Sequence, residues 1–210
     1  MYTCVAVLVT RCFRIILANG TIPSKTSSTI GHFARAERGL AVVEFALILP
    51  VLMTLFYGTI EVTRYILIVQ KVEKLAHSIA DVTSQEQTAS ATVLNQALAA
   101  TSDIMSPYTM TTNGTVFITS LYRAPNTASA TVNWRYQGGG SLPATSQLGP
   151  LNSVPVVPGG FTFDERENVI AAEVFYRFSP LISSQFFGTT TVYRSAFYKP
   201  RLGALLTPPA

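Results

Sequence analysis

The chain has 210 residues, enough for one medium domain plus an anchor and too few for two full globular domains. Hydrophobic residues make up 48% and charged residues only 12%, against roughly 25% charged in ordinary soluble domains. The net charge of +4 resides in residues 1–39, where Arg11, Arg14, Lys25, Arg35 and Arg38 stand against Glu37 alone; the ten basic and ten acidic residues after them cancel, which gives no support to a nucleic-acid-binding surface.

Residues 1–18 are apolar but are interrupted by Arg11 and Arg14, whereas a secretory signal carries its positive charge ahead of its apolar run. They read as a basic leader or dispensable extension, and residues 19–38, rich in Ser, Thr and Gly, read as a loop. Both cysteines, Cys4 and Cys12, fall in this leader. From residue 40 onward there is therefore no thiol for a disulfide, a metal or a nucleophile.

Between Leu40 and Ile60, 21 residues carry one charge, Glu44. A helix of that length spans about 31 Å, which matches the hydrocarbon core of a bilayer. Pro50 removes a backbone donor in mid-segment and predicts a kink near Ala46 to Pro50. The helix should continue to about residue 83, with Val62, Tyr65, Ile66, Val69, Val72, Ala76 and Ile79 at spacings of three and four and Glu61, Arg64, Lys71, Lys74 and Asp81 elsewhere on the wheel. A second amphipathic helix is expected over 91–105, closed by Pro107.

The pattern then changes to alternation of β-branched and aromatic residues. Strands are predicted at Thr115–Arg123, Ala130–Gln137, Asn168–Phe178 and Thr189–Lys199, with a turn at Pro125-Asn126. In the third, Ile170, Ala172, Val174, Tyr176 and Phe178 share the face expected to point into the core. Gly138 to Gly140 reads as a flexible turn that opens a proline-punctuated loop to about residue 160. The expected fold is α+β: a long N-terminal helix, transmembrane then amphipathic, a short helix, and a mostly antiparallel sheet of about four strands, pilin-like in outline. The corresponding divisions are a leader (1–39), a transmembrane helix (40–60), an amphipathic helical stem (61–106) and a strand-rich domain (107–210).

The residues that carry a function are Arg38-Gly39-Leu40-Ala41-Val42-Val43-Glu44-Phe45. Glycine fits a narrow protease subsite and allows an extended, accessible backbone. A glutamate inside a membrane segment is costly and must be paired or neutralised. Cleavage after Gly39 would place a new α-amine on Leu40, four residues from Glu44 and on the same helix face.

This arrangement looks like a type IV prepilin peptidase site. The stretch from Arg38 to about Tyr65, with Gly39, Ala41 to Leu47, Pro50 and Gly58-Thr59-Ile60-Glu61, resembles the TadE-like family of the tight-adherence (Flp) pilus system. The late segment from Ala172 through Glu173 to Leu181 is similar to the end of these proteins. The resemblance implies a pseudopilin-like component of a Tad/Flp pilus assembly or secretion system, with Gly39 and Leu40 as the processing site and Glu44 and Phe45 in assembly and recognition. It implies a bacterial inner-membrane location with a cytoplasmic N-terminus and a periplasmic C-terminal domain. The partners would be other pilin-like subunits, pilus-assembly proteins and the prepilin peptidase. The alternative is an unprocessed inner-membrane scaffold or binding protein of the same machinery. Phe45 stands where family pseudopilins often have tyrosine, and the leader is long.

No constellation for catalysis is visible, and the chain is expected not to be an enzyme, with no catalytic, cofactor or metal residues. His32 lies in the leader and no histidine follows His77, so no His-based triad or zinc site can form in the strand-rich region. His77 sits four residues after Glu73, the spacing of a surface pair. Asp164, Glu165 and Glu167 read as a solvated turn, with spacing unlike an EF-hand. Tyr122, Trp134 and Tyr136 read as core or edge packing.

Overall fold

A computed structural model describes residues 37–158, 161–181 and 188–209, with side chains from residue 41 onward. The leader to residue 36, with Cys4, Cys12 and His32, lies outside the described residues. The chain divides into two units, one ending at Phe56 and one beginning at Tyr57.

Helix α1 runs from Glu37 to Ser84 and continues through Pro50. It begins three residues ahead of the expected Leu40, so the backbone at Gly39 is helical and not extended. In the first unit every described side chain, 41–56, is exposed, including Val42, Phe45, Leu47, Val51 and Leu55. A helix with apolar residues on all sides has no polar face to turn to water. The Thr54 hydroxyl donates to the Pro50 carbonyl at 2.8 Å, so its polar group is spent inside the helix.

In the second unit α1 continues, and three short helices follow: α2 (Ala91–Ala99), α3 (Thr101–Met105) and α4 (Met110–Asn113). Ser90 caps α2 by accepting from the Val93 N–H at 3.4 Å. The single helix expected over 91–105 is broken at Ala100, where Thr101 turns its hydroxyl back to the Leu98 carbonyl (2.6 Å) and competes with the ladder. The strands are β1 (Gly114–Tyr122), β2 (Thr131–Gly138), β3 (Asn168–Phe178) and β4 (Thr190–Tyr198), each within one residue of expectation at either end. All three pairings are antiparallel, in the order β2-β1-β3-β4. Asn126 adopts the left-handed φ of 61° in the β1–β2 turn, a conformation that asparagine tolerates.

One sheet face, with Val116, Ile118, Ile170, Ala172, Val174, Tyr176 and Phe178, forms the main core with α1 and the short helices. The α1 residues buried there are Ile68, Val72, Leu75, Ala76, Ile79 and Ala80. Val62 and Ile66, expected on that stripe, are exposed, while Glu61 and Arg64 turn inward and are only partly accessible. The region around residue 60 is apolar on every side, so period alone does not fix which face meets the sheet.

The second sheet face is also covered, which the alternation of the strands did not show. Leu148, Phe163, Leu142 and their neighbours from the β2–β3 connection pack on Leu121, Val169, Ala171, Phe117 and Phe175. The central strands β1 and β3 are accordingly buried on both sides almost throughout. The connection is a packed layer, and Gly138 to Gly140 is no flexible turn. Ser141 N–H bonds the Thr111 carbonyl (2.8 Å) and Leu142 N–H the Gly114 carbonyl (3.0 Å). A Cβ on Gly140 would overlap the backbone oxygens of Gly114 and Met110. Gly140→Ala is therefore expected to destabilise the fold by about 1–3 kcal/mol, as overpacking does. Thermal unfolding of the full chain in detergent checks this, and an unchanged Tm would show that the approach is not tight.

Residues after β4 tie the sheet to α1. Arg201 bonds the Ser84 carbonyl through its N–H (2.8 Å) and Asp81 Oδ1 through its guanidinium (2.7 Å). The Leu205 carbonyl accepts from Trp134 Nε1 and Ser120 Oγ, both at 2.9 Å. Trp134 is thus a core residue, and Tyr136 bonds Asn95 Oδ1 at 2.9 Å, in keeping with packing over display.

Candidate functional site

The candidate site begins at the N-terminal end of α1. Gly39 and Leu40 lie within the helix, and Glu44 and Phe45 follow just over one turn later, both exposed. Leu40 and Glu44, four apart, fall on one helix face. The surface around them is apolar: Val42, Val43, Phe45, Leu47 and Ile48 are each more than half exposed. What this end of the helix offers chemically, among the described side chains, is one carboxylate, that of Glu44, in an apolar field. Among the described residues, α1 is the one helix long and apolar enough to cross a membrane.

A second cluster lies further along α1. Glu61 Oε2 pairs with Arg64 Nη1 at 3.3 Å, and Glu61 Oε1 accepts from the backbone N–H of Leu181 at 2.6 Å. The Arg64 guanidinium lies 5.8 Å from the centre of the Phe178 ring, and Tyr65 meets the same ring edge-on at 5.4 Å. Lys71 donates to the carbonyls of Ile104 (3.0 Å) and Ser106 (2.7 Å), closing the end of α3. The charged residues of the stem are therefore clasps between α1 and what packs on it. The spacing of Glu61 and Arg64 had shown only two polar residues on a wheel.

The third cluster is buried. Glu173, with no exposed surface, accepts from Ser146 Oγ, from the Gln147 N–H (2.8 Å) and from Tyr193 Oη (3.1 Å). Arg135 on β2 shares that sheet face, with Nε on Thr119 Oγ1 (3.1 Å) and Nη2 on the Gly149 carbonyl (2.7 Å). Burial pulls its guanidinium below its ordinary value, and the negative charge of Glu173 works against that pull. Glu173 had entered only as one residue of the late segment, and its burial has no signature in local sequence.

Two surface features differ from expectation. Glu73 lies 3.8 Å from Arg194, while His77 meets Tyr198 through Nδ1 at 3.4 Å, so the expected i,i+4 pair is replaced by two contacts to β4. The strand lies alongside and offers both residues a partner. In the acidic turn, Arg166 takes a left-handed φ of 63° and Glu167 accepts the Asp164 N–H at 2.5 Å and pairs with Lys199. Burial opposes the charge on Glu167, but Lys199 and that N–H outweigh it and hold the carboxyl below its ordinary value. Among the described residues no cluster of three or more His, Cys, Asp or Glu has the placement of a metal site.

These features define an α+β protein with one candidate membrane span, its exposed apolar helix preceding a four-stranded antiparallel sheet. Residues 39–81 match the family model of TadE-like proteins, a match that begins on Gly39 and takes in Glu44, Glu61 and Arg64. Over that stretch the chain is similar to TadE-like proteins, a family associated with the Tad pilus. The late segment, residues 172–181, lies outside the match. No curated protein and no solved structure matches the chain.

Proposed function

We propose that this chain is a pseudopilin-like structural subunit of a bacterial Tad/Flp pilus assembly or secretion system, and not an enzyme. Residues 40–60 hold it in the inner membrane, with the N-terminus cytoplasmic and the strand-rich domain periplasmic. The prepilin peptidase cleaves after Gly39, and Glu44 pairs with the new amine of a neighbouring pilin-like subunit. The observation that carries the reading is the TadE-like match over 39–81, which starts at the glycine and whose apolar first part, to Ile60, holds Glu44 as its lone, exposed carboxylate.

The alternative of an unprocessed scaffold is favoured by one observation: the Gly39–Leu40 peptide lies inside α1, whereas a protease needs an extended strand. The first turn has to open for cleavage. Glycine makes that easier by about 0.5–1 kcal/mol relative to alanine, because it is a poor helix former. The two readings separate by the mass and N-terminal sequence of the protein from membranes with and without the host's prepilin peptidase. Processing predicts a peptidase-dependent N-terminus at Leu40 that is lost in Gly39→Ala or a bulkier substitution. An intact chain in both membranes would sink it and leave a permanent scaffold in which Glu44 pairs with a polar group on another helix.

A further inference from the structure

The apolar exposed surface of α1 does not stop at Ile60. Val62 (59% exposed), Tyr65, Ile66 (48%) and Leu67 continue it; beyond Leu67 the exposed α1 positions are Gln70, Glu73, Lys74 and His77, and then a single apolar one, Val82, about four turns past Leu67. Seven residues past Ile60 add about 10 Å of helix. The headgroup region adds about 5–8 Å on each side of the hydrocarbon core, so this extra length falls mostly within it. At the same level of α1, the corner after β3 presents Leu181, 67% exposed, with its backbone held by Glu61.

Within the second unit, we propose that the membrane surface reaches to Leu67 and that the Ser179-Pro180-Leu181 corner rests in its headgroup zone, so that Leu181 is a second, non-helical contact of the strand-rich domain with lipid. The corner's backbone chemistry suits that place. Lipid penalises an unpaired N–H by several kcal/mol. Pro180 has none, and the Leu181 N–H is bonded to Glu61 Oε1. The carboxylate that accepts it is balanced by Arg64 at 3.3 Å, so no uncompensated charge is carried into the interface. Tyr65, packed on Phe178 and 39% exposed, stands where interfacial aromatics gather. The occupant is lipid because the surface is continuous in sequence with the candidate span, and because its two charged groups are turned toward each other.

This rests on the membrane reading of α1, so the test includes a position that checks that reading separately. Single cysteines at Leu47, Leu151 and Leu181, in a full chain carrying Cys4→Ser and Cys12→Ser, are labelled with an environment-sensitive fluorophore. The protein is placed in vesicles of phosphatidylethanolamine and phosphatidylglycerol. Quenching is read with nitroxides near the headgroup, nitroxides deep in the acyl chains, and aqueous iodide.

The label at Leu181→Cys is expected to be quenched most by the shallow nitroxide and to be several-fold less open to iodide than at Leu151→Cys. The label at Leu47→Cys is expected to be quenched by the deep one. A Leu181→Cys label as open to iodide as that at Leu151→Cys would overturn the proposal. So would one shielded from iodide and untouched by either nitroxide, which would mean a protein neighbour. Absence of deep quenching at Leu47→Cys would overturn the membrane reading and this inference with it. Ile66→Cys provides the same readout on the helix side if the Leu181 substitution disturbs the corner.

Discussion

Glu173→Ala is expected to destabilise the strand-rich domain by about 3–5 kcal/mol, the usual penalty when one partner of a buried charged network is removed. Glu173 has no exposed surface and accepts from Ser146, from the Gln147 backbone and from Tyr193, while Arg135 shares its side of the sheet. Truncation strands these donors and leaves the guanidinium without its countercharge. Glu173→Gln keeps the volume and one acceptor, and should cost about half as much. Trp134, the one tryptophan, is buried on the opposite face and reports unfolding in denaturant without lying in the network. A loss below about 1 kcal/mol for the alanine variant would mean that the connection over residues 139–157 is held by its apolar contacts alone. Burial, with the charge of Glu173 adding to it, pushes the Tyr193 phenol up to about 12. A tyrosine raised in the folded state stabilises below its unfolded value near 10, and that stability is lost as pH rises toward 12. The Glu173→Ala variant should therefore lose part of the alkaline limb expected of the parent chain.

The division between what local sequence reveals and what it hides follows the range of the forces involved. The α1 helix and the strands are written in pattern: apolar on all sides with a single charge up to Ile60, then a period of 3.6, then of 2. The core face of β3, Ile170 to Phe178, followed from alternation alone. The opposite face did not, because Val169, Ala171, Glu173 and Phe175 are buried by a connection whose prolines and glycines carry neither period. Long-range cover is a property of the partner segment, and Gly140 discloses it only when the backbones are seen to touch. Glu61 and Arg64 were misplaced for a related reason. On a helix apolar all round, charged residues look like the solvent side, yet here the sheet end supplies the Leu181 N–H and the Phe178 ring that make the inward side better for them. The acid at Glu44 stood out for the opposite reason. A single charge in 21 residues is a local fact, and needs no fold to be noticed.

Glu44→Gln should leave insertion, folding and processing intact, and should cut recovery of the chain in complex with other pilin-like subunits by about tenfold. The carboxylate lies on a part of α1 where every described side chain is exposed, so amidation removes no packing among the described residues. On the proposed processing, what it removes is the attraction to the α-amine that cleavage would create on a neighbour's Leu40, a group that is cationic at neutral pH. In hydrocarbon the alternative to that partner is an unpaired charge, and interhelical polar contacts of this kind are worth about 1–2 kcal/mol, a factor of five to thirty. Glu44→Asp keeps the charge but draws it back by one methylene, and should recover part of the loss. Crosslinking in membranes followed by quantitation of the complex reads both variants. Cleaved Glu44→Gln that assembles as well as the parent would break the proposed pairing while leaving the processing intact. Loss of assembly in Glu44→Gln together with an uncleaved N-terminus would assign the carboxylate to the scaffold reading, where it binds a polar group on another helix and needs no amine.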